Sequence, residues 1–207
     1  GATAATTELG AVYWVLFLGS IVLSIVNTYS TFYLQELHGI SPLVAGYIFA
    51  IQSFMWTASA LVVAMLPRSL ETSNIVTGLV FIFLGALGIA LLVDSGPVVF
   101  LSIAIASTGI GLGFINNPTI QRIIAVVPEK EAHMAGTSVQ AIRNIGISFG
   151  AAASGMIAAA TGLVEGAGRD AVAVSMTWVY GVNAAVAVLA LVMVIPMLLA
   201  RRRAASD

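Results

Sequence analysis

The chain contains no cysteine. A disulfide, a thiolate metal site and a thiol nucleophile are therefore all excluded. Charge is also scarce: only 8% of the 207 residues are Asp, Glu, Lys or Arg, against roughly 25% in a soluble domain, whose surface must face water. A surface that charges cannot coat must face lipid. The formal net charge of −1 offers nothing to nucleic acid, which is not expected as a partner. Of the two histidines, His38 sits in a short loop and His133 near Pro128. Neither has a second ligand at helical spacing, so no metal site is expected. No nucleophile–base constellation is visible, and neither an enzyme nor a cofactor is indicated. Residues 1–10 carry no Lys or Arg and do not form a secretory n-region.

What is present is apolar sequence: 59% of residues are hydrophobic, and the mean hydropathy is +1.04. A membrane helix needs about 20 apolar residues. Six such runs are expected, over residues 12–37, 42–66, 73–93, 97–126, 132–161 and 172–200. Runs this long satisfy their backbone as helices rather than barrel strands. The expected fold is an all-α, integral membrane six-helix bundle. Ser41-Pro42 and Gly96-Pro97 open the second and fourth runs, where a proline lacks only an N–H that has no partner to lose. Six spans put both termini on one side, together with Arg68, Arg122, Lys130 and Arg201-Arg202-Arg203. The other side has Arg169 beside Glu36, Asp94, Glu165 and Asp170. The positive-inside rule then makes both termini cytoplasmic, with residues 1–11 as an N-terminal segment and 201–207 as a basic tail of a protein in the cell inner (plasma) membrane.

Polar residues recur at helical spacing in four of the runs. The first carries Tyr13, Ser20, Ser24, Asn27, Thr31 and Gln35; the second Gln52, Trp56 and Ser59. The fourth carries Ser102, Gly109, Gly113 and Asn116, with Asn117 adjacent; the fifth Gly136, Gln140, Arg143, Ile147 and Ser154, with Asn144 on the flank. The third and sixth are blander, with Asn183 as their main interior polar residue. Runs one, two, four and five are thus expected to share an interior. Two readings stay open. Small and hydroxyl residues can simply glue helices together. Bulky amides, Trp56 and Arg143 can instead face a ligand. A mid-helix arginine costs at least about 2.5 kcal/mol and looks for a partner or a water-filled cavity, unless it snorkels to the interface toward Glu129 and Glu131. Leu23, Ile103 and Ile145 are read as lying opposite the stripes. Gly109-Ile-Gly-Leu-Gly113 has no preceding strand and reads as close packing rather than a nucleotide loop. Asn116-Asn117-Pro118 is expected to interrupt the fourth helix.

Three segments carry a resemblance to a known family. Tyr33-Leu-Gln-Glu-Leu-His-Gly-Ile-Ser-Pro-Leu-Val-Ala-Gly46 resembles the seventh-to-eighth helix connection of major facilitator superfamily transporters, most like the multidrug:proton antiporter branch. Gly109-Ile-Gly-Leu-Gly-Phe114 through Val127-Pro-Glu-Lys-Glu131 resembles their tenth helix and following loop, and Ala135 through Gly150 their eleventh. The loop Pro67-Arg68-Ser69-Leu70-Glu71 keeps little of the Gly- and Arg-rich pattern often found there. The resemblance implies a C-terminal six-helix half built as a three-plus-three inverted repeat. It makes runs one, two, four and five the helices that border the central cavity. The expected substrate-binding residues are Asn27, Thr31, Gln52, Trp56, Asn116, Asn117, Gln140, Arg143 and Asn144.

The implied function is secondary active transport by alternating access, exporting small amphipathic organic compounds. The expected partners are the lipid bilayer, a small organic substrate and a second six-helix half: a separate chain, a missing N-terminal half or another copy. The alternative is a non-transporting scaffold or interaction module derived from such a half.

Overall fold

The computed structural model describes residues 8–126, 132–196, 198 and 199. Outside them lie Glu129, Lys130, Glu131, Arg201, Arg202 and Arg203, and with these much of the charge bias read from sequence. The described residues form α1 (Glu8–Glu36), α2 (Pro42–Ala64), α3 (Glu71–Leu92), α4 (Val98–Val126), α5 (Ala132–Ala160) and α6 (Arg169–Val192). A single 3-10 turn, Arg68–Leu70, leads into α3. No strand occurs among the described residues. The fold is an all-α bundle of six transmembrane helices.

Local chemistry sets the helix ends. Ser41 caps α2 by accepting the Val44 N–H at 3.4 Å, and Pro42 follows in the first turn. After α5 the chain reverses at Gly162 (φ +98°). There Gly162 N–H donates to the Ala159 carbonyl (3.2 Å) and Leu163 N–H to that of Ala158 (2.9 Å), a Schellman closure that needs a glycine. α6 ends at Val192 in a turn at Met193-Val194, beyond which residues 195, 196, 198 and 199 are again helical; Pro196 has no N–H to offer the Val192 carbonyl. The expected interruption at Asn116-Asn117-Pro118 does not occur; α4 runs on to Val126. Proline removes one ladder bond, and the turn beyond is held from outside. Arg122 donates to the Thr72 hydroxyl at 2.9 Å and lies 3.7 Å from Glu71.

Contacts between helix ends establish the up–down order. His38, just after α1, donates from Nε2 to the Val93 carbonyl just after α3 (2.9 Å). Arg169, opening α6, reaches the Asp94 carboxylate (3.1 Å) and carbonyl (2.8 Å) at the same end. Arg122 on α4 meets Thr72 on α3 at the opposite end.

Packing follows the expected repeat. α1 lies against α5 as α4 lies against α2, and α3 against α4 as α6 against α1; α3 and α6 also meet each other. Exchanging the first three helices with the last three leaves this pattern unchanged, and the exchange reverses direction, as an inverted repeat requires. Among the described residues, five helices are both long and apolar enough to cross a membrane. The remaining one, α5, is as long as α1 and α4 at 29 residues, and its polar stripe with Gln140, Arg143 and Asn144 lowers its hydropathy. α1 is the most enclosed of the five, whereas α2 leaves most of its surface uncovered.

Glycines permit the closest approaches. A Cβ on Gly113 would meet the Ser59 hydroxyl and, at 2.5 Å, the Trp56 carbonyl of α2. One on Gly109 would overlap the Gln52 carbonyl, and one on Gly111 would meet Ile82 of α3 at 2.6 Å. The Gly109–Gly113 segment thus seats α4 against two helices at once. On the far side, a Cβ on Gly146 or Gly150 of α5 would meet the Phe17 and Ile21 carbonyls of α1 at 2.7 and 2.9 Å.

Candidate functional site

The helices with polar stripes converge on a crevice between α1, α2, α4 and α5. Its walls are Leu16, Gly19, Ser20 and Leu23 of α1, Trp56 of α2, Leu112, Ile115 and Asn116 of α4, and Arg143 of α5. Its volume is about 20 Å³, room for one water molecule. Trp56, Asn116 and Arg143, expected from sequence as ligand-facing, therefore share one site.

Their polar atoms differ from those of the helix contacts. Ser20 donates to the Leu16 carbonyl (2.7 Å), and Ser24 bridges to the Ile147 carbonyl (2.8 Å). Asn116 and Arg143 have no hydrogen-bond or ion-pair partner among the described residues. Both are half-buried. A guanidinium with five donors and no acceptor is thus held beside an amide and an indole at the edge of an apolar crevice.

The other expected residues divide three ways. Asn27, Gln140 and Asn144 are exposed on α1 and α5, with Gln140 Nε2 donating to Asn144 Oδ1 at 2.9 Å. Thr31 is half-buried, and its carbonyl accepts from Gln35 (2.9 Å). Gln52 is buried (2% exposed) in the α2–α4 contact and donates to Thr108 Oγ1 at 3.0 Å, with its own Oε1 unpartnered. Asn117 lines a separate polar cavity of about 410 Å³ with Arg68, Glu71, Asn74 and Gln121, at the end of the bundle where Arg122 meets Thr72.

Some lining residues escape the stripe reading. Leu23, expected to point away, forms part of the crevice wall. It lies three residues after Ser20 and four before Asn27, so helical adjacency puts it on the same face despite its apolar side chain. Asn74, buried at 7% exposure, stands one turn inside α3 in a run read as bland. Among the described residues no group of three or more His, Cys, Asp or Glu could hold a metal ion.

A six-helix membrane bundle with a crevice between four of its helices, apolar but edged by an amide and a guanidinium, has the architecture of a transporter domain. Comparison with known proteins agrees: the sequence profile of the Major Facilitator Superfamily matches residues 5–151, and the chain belongs to that superfamily. It is a multi-pass integral membrane protein of a transporter fold rather than an enzyme. Among curated proteins it is similar to the riboflavin transporter RibZ of Clostridioides difficile (strain 630), with 30% identity over 122 residues. That match covers 58% of this chain and 27% of the relative, so the chain spans well under two thirds of its relative's length.

Proposed function

We propose that the chain is the C-terminal six-helix half of a secondary transporter that moves small amphipathic organic compounds outward by alternating access. The observation that carries this reading is the crevice. It gathers Trp56, Asn116 and Arg143 from three helices and leaves the last two without partners, yet holds only about 20 Å³. A drug-sized ligand needs about 300 Å³ or more, so the substrate site is one wall of a larger cavity completed by a second half. Asn27, Gln140 and Asn144, on exposed faces of α1 and α5, extend that wall, and Thr31 borders it. Gln52 and Asn117 serve it indirectly, Gln52 by fixing α2 on α4.

The second half is another chain, a preceding segment of the same polypeptide or a second copy. Both termini are cytoplasmic and the membrane is the cell inner membrane, on the six-to-one bias of Lys and Arg in the loops and tails. Among the described residues, carboxylates stand only at helix ends and in loops (Glu8, Glu36, Glu71, Asp94, Glu165 and Asp170). Proton coupling of the antiporter kind therefore falls to the second half. The relative's printed substrate, riboflavin, adds a planar heteroaromatic compound as the first candidate cargo.

Proteoliposomes holding the chain with and without an N-terminal half test this reading. Riboflavin and amphipathic dye movement above that of empty vesicles is expected only for the pair. A pair that assembles and transports nothing favours the scaffold alternative.

A further inference from the structure

We infer that the substrate group seated between Trp56, Asn116 and Arg143 is an anion, such as a carboxylate, sulfonate or phosphate ester on an aromatic body. The inference rests on the transport reading above and adds a sign of charge to it, so that an anionic aromatic compound is preferred over neutral riboflavin. Arg143 lines the crevice, is half-buried, and finds neither a hydrogen-bond acceptor nor a carboxylate among the described residues. Of the other described arginines inside or at the ends of the helices, Arg122 pairs with Glu71 and Thr72 and Arg169 with Asp94, while Arg68 stands outside them in the turn before α3, beside the polar cavity. Among the described arginines, Arg143 is the one set deep within a helix without an acceptor.

Its depth makes the missing partner consequential. Arg143 stands 11 residues into α5, which begins at Ala132, or about 16 Å along the axis. Most of the crevice it lines is apolar: Leu16 and Leu23 of α1, Leu112 and Ile115 of α4. A charge so placed is expensive unless something neutralises it. Asn116 beside it can donate a second hydrogen bond to the same anion, and the Trp56 ring gives an aromatic body a surface to lie on. A lipophilic cation has the opposite requirement, since no carboxylate stands in this wall to receive it.

The test compares two probes of like shape and opposite charge, 2-naphthalenesulfonate and 2-naphthyltrimethylammonium. Each is dialysed to equilibrium against the assembled pair of halves in zwitterionic nanodiscs, with empty nanodiscs subtracted. The sulfonate is expected to bind at least about tenfold more tightly, the scale of one charge-assisted hydrogen bond. Arg143→Gln abolishes the preference, Arg143→Lys keeps part of it, and Asn116→Ala weakens the sulfonate without reversing the sign. Equal binding of both probes, or a preference that survives Arg143→Gln, overturns the anion assignment and leaves transport by the paired halves standing. Binding of neither probe overturns the seat itself. Transport by the pair that prefers the cation overturns the assignment in the assembled state, where a carboxylate from the other half would have neutralised Arg143.

Discussion

The α2–α4 contact and the α1–α5 contact are related by the inverted repeat, yet they treat their polar residues in opposite ways. In the first, Gln52 is enclosed and bonded to Thr108, Ser59 donates to the Met55 carbonyl (2.7 Å), and Gly109 and Gly113 bring the backbones together. In the second, Gly146 and Gly150 also bring backbones together and Ser24 bridges them. Along its edge, however, among the described residues Arg143 has no partner, and Gln140 and Asn144 bond only each other. The glycines sit on α4 in one contact and on α5 in the other. The repeat thus conserves which helices touch and leaves free which polar groups are consumed by the touch. The α2–α4 contact uses its polarity in packing, while the α1–α5 contact leaves some of it outside the packing.

The largest expected effect lies in the closed contact. Gly113→Leu drives a side chain into the Ser59 hydroxyl and the Trp56 backbone, neither of which can move aside. Overpacking of this kind costs about 3 kcal/mol at the upper end of its range. Thermal unfolding of the solubilised chain should show a clear loss of stability, or expression should fail. A variant as stable as the parent would mean that α2 and α4 part easily and that the two contacts differ less than described.

Next comes Arg143→Met. An unpaired mid-helix guanidinium disfavours the membrane state by about 2.5 kcal/mol or more, so its removal should raise stability, while transport by the assembled pair falls. Gain of stability with loss of function marks a site; loss of both marks a packing residue. Gln52→Leu should behave differently. It removes one bond to Thr108 and also one buried, unpartnered Oε1. These offset each other, and stability should change by less than about 1 kcal/mol, with transport retained. Substrate movement abolished by Gln52→Leu at unchanged stability would move Gln52 into the site and break the contrast.

The sequence alone carries much of the bundle and part of the wall. Hydropathy and proline positions locate six helices because lipid allows little else. Helical spacing brings Trp56, Asn116 and Arg143 to one place because each stripe must face inward. It cannot tell Gln52 from Asn116. Both are amides on stripes, and only the three-dimensional contact decides which meets a hydroxyl on the next helix. Asn117 is misread for a related reason: one residue beyond Asn116 turns its side chain by about 100°, into the cavity beside Arg68. Pro118 misleads because a proline removes only one ladder bond, and the turn beyond it is anchored to α3 through Arg122 and Thr72, far apart in sequence.

The smallest expected effect is the most discriminating for the open contact. Gln140 and Asn144 are exposed and lie one turn apart on α5, with a single bond of 2.9 Å between them. Such a pair stabilises a helix by about 0.2–0.5 kcal/mol. Gln140→Ala, Asn144→Ala and the double variant should therefore unfold almost with the parent, and the double-mutant cycle should return a coupling in that range. Because the chain has no cysteine, Gln140→Cys, Asn144→Cys and Gln52→Cys can be compared without background labelling. A membrane-impermeant thiol reagent should reach the first two in the assembled transporter, substrate should protect them, and the third should stay dark. A coupling above about 1 kcal/mol, or equal labelling at all three positions, would show that α5 spends its amides on packing as α2 does, and the two contacts would then be alike in function as well as in ancestry of form.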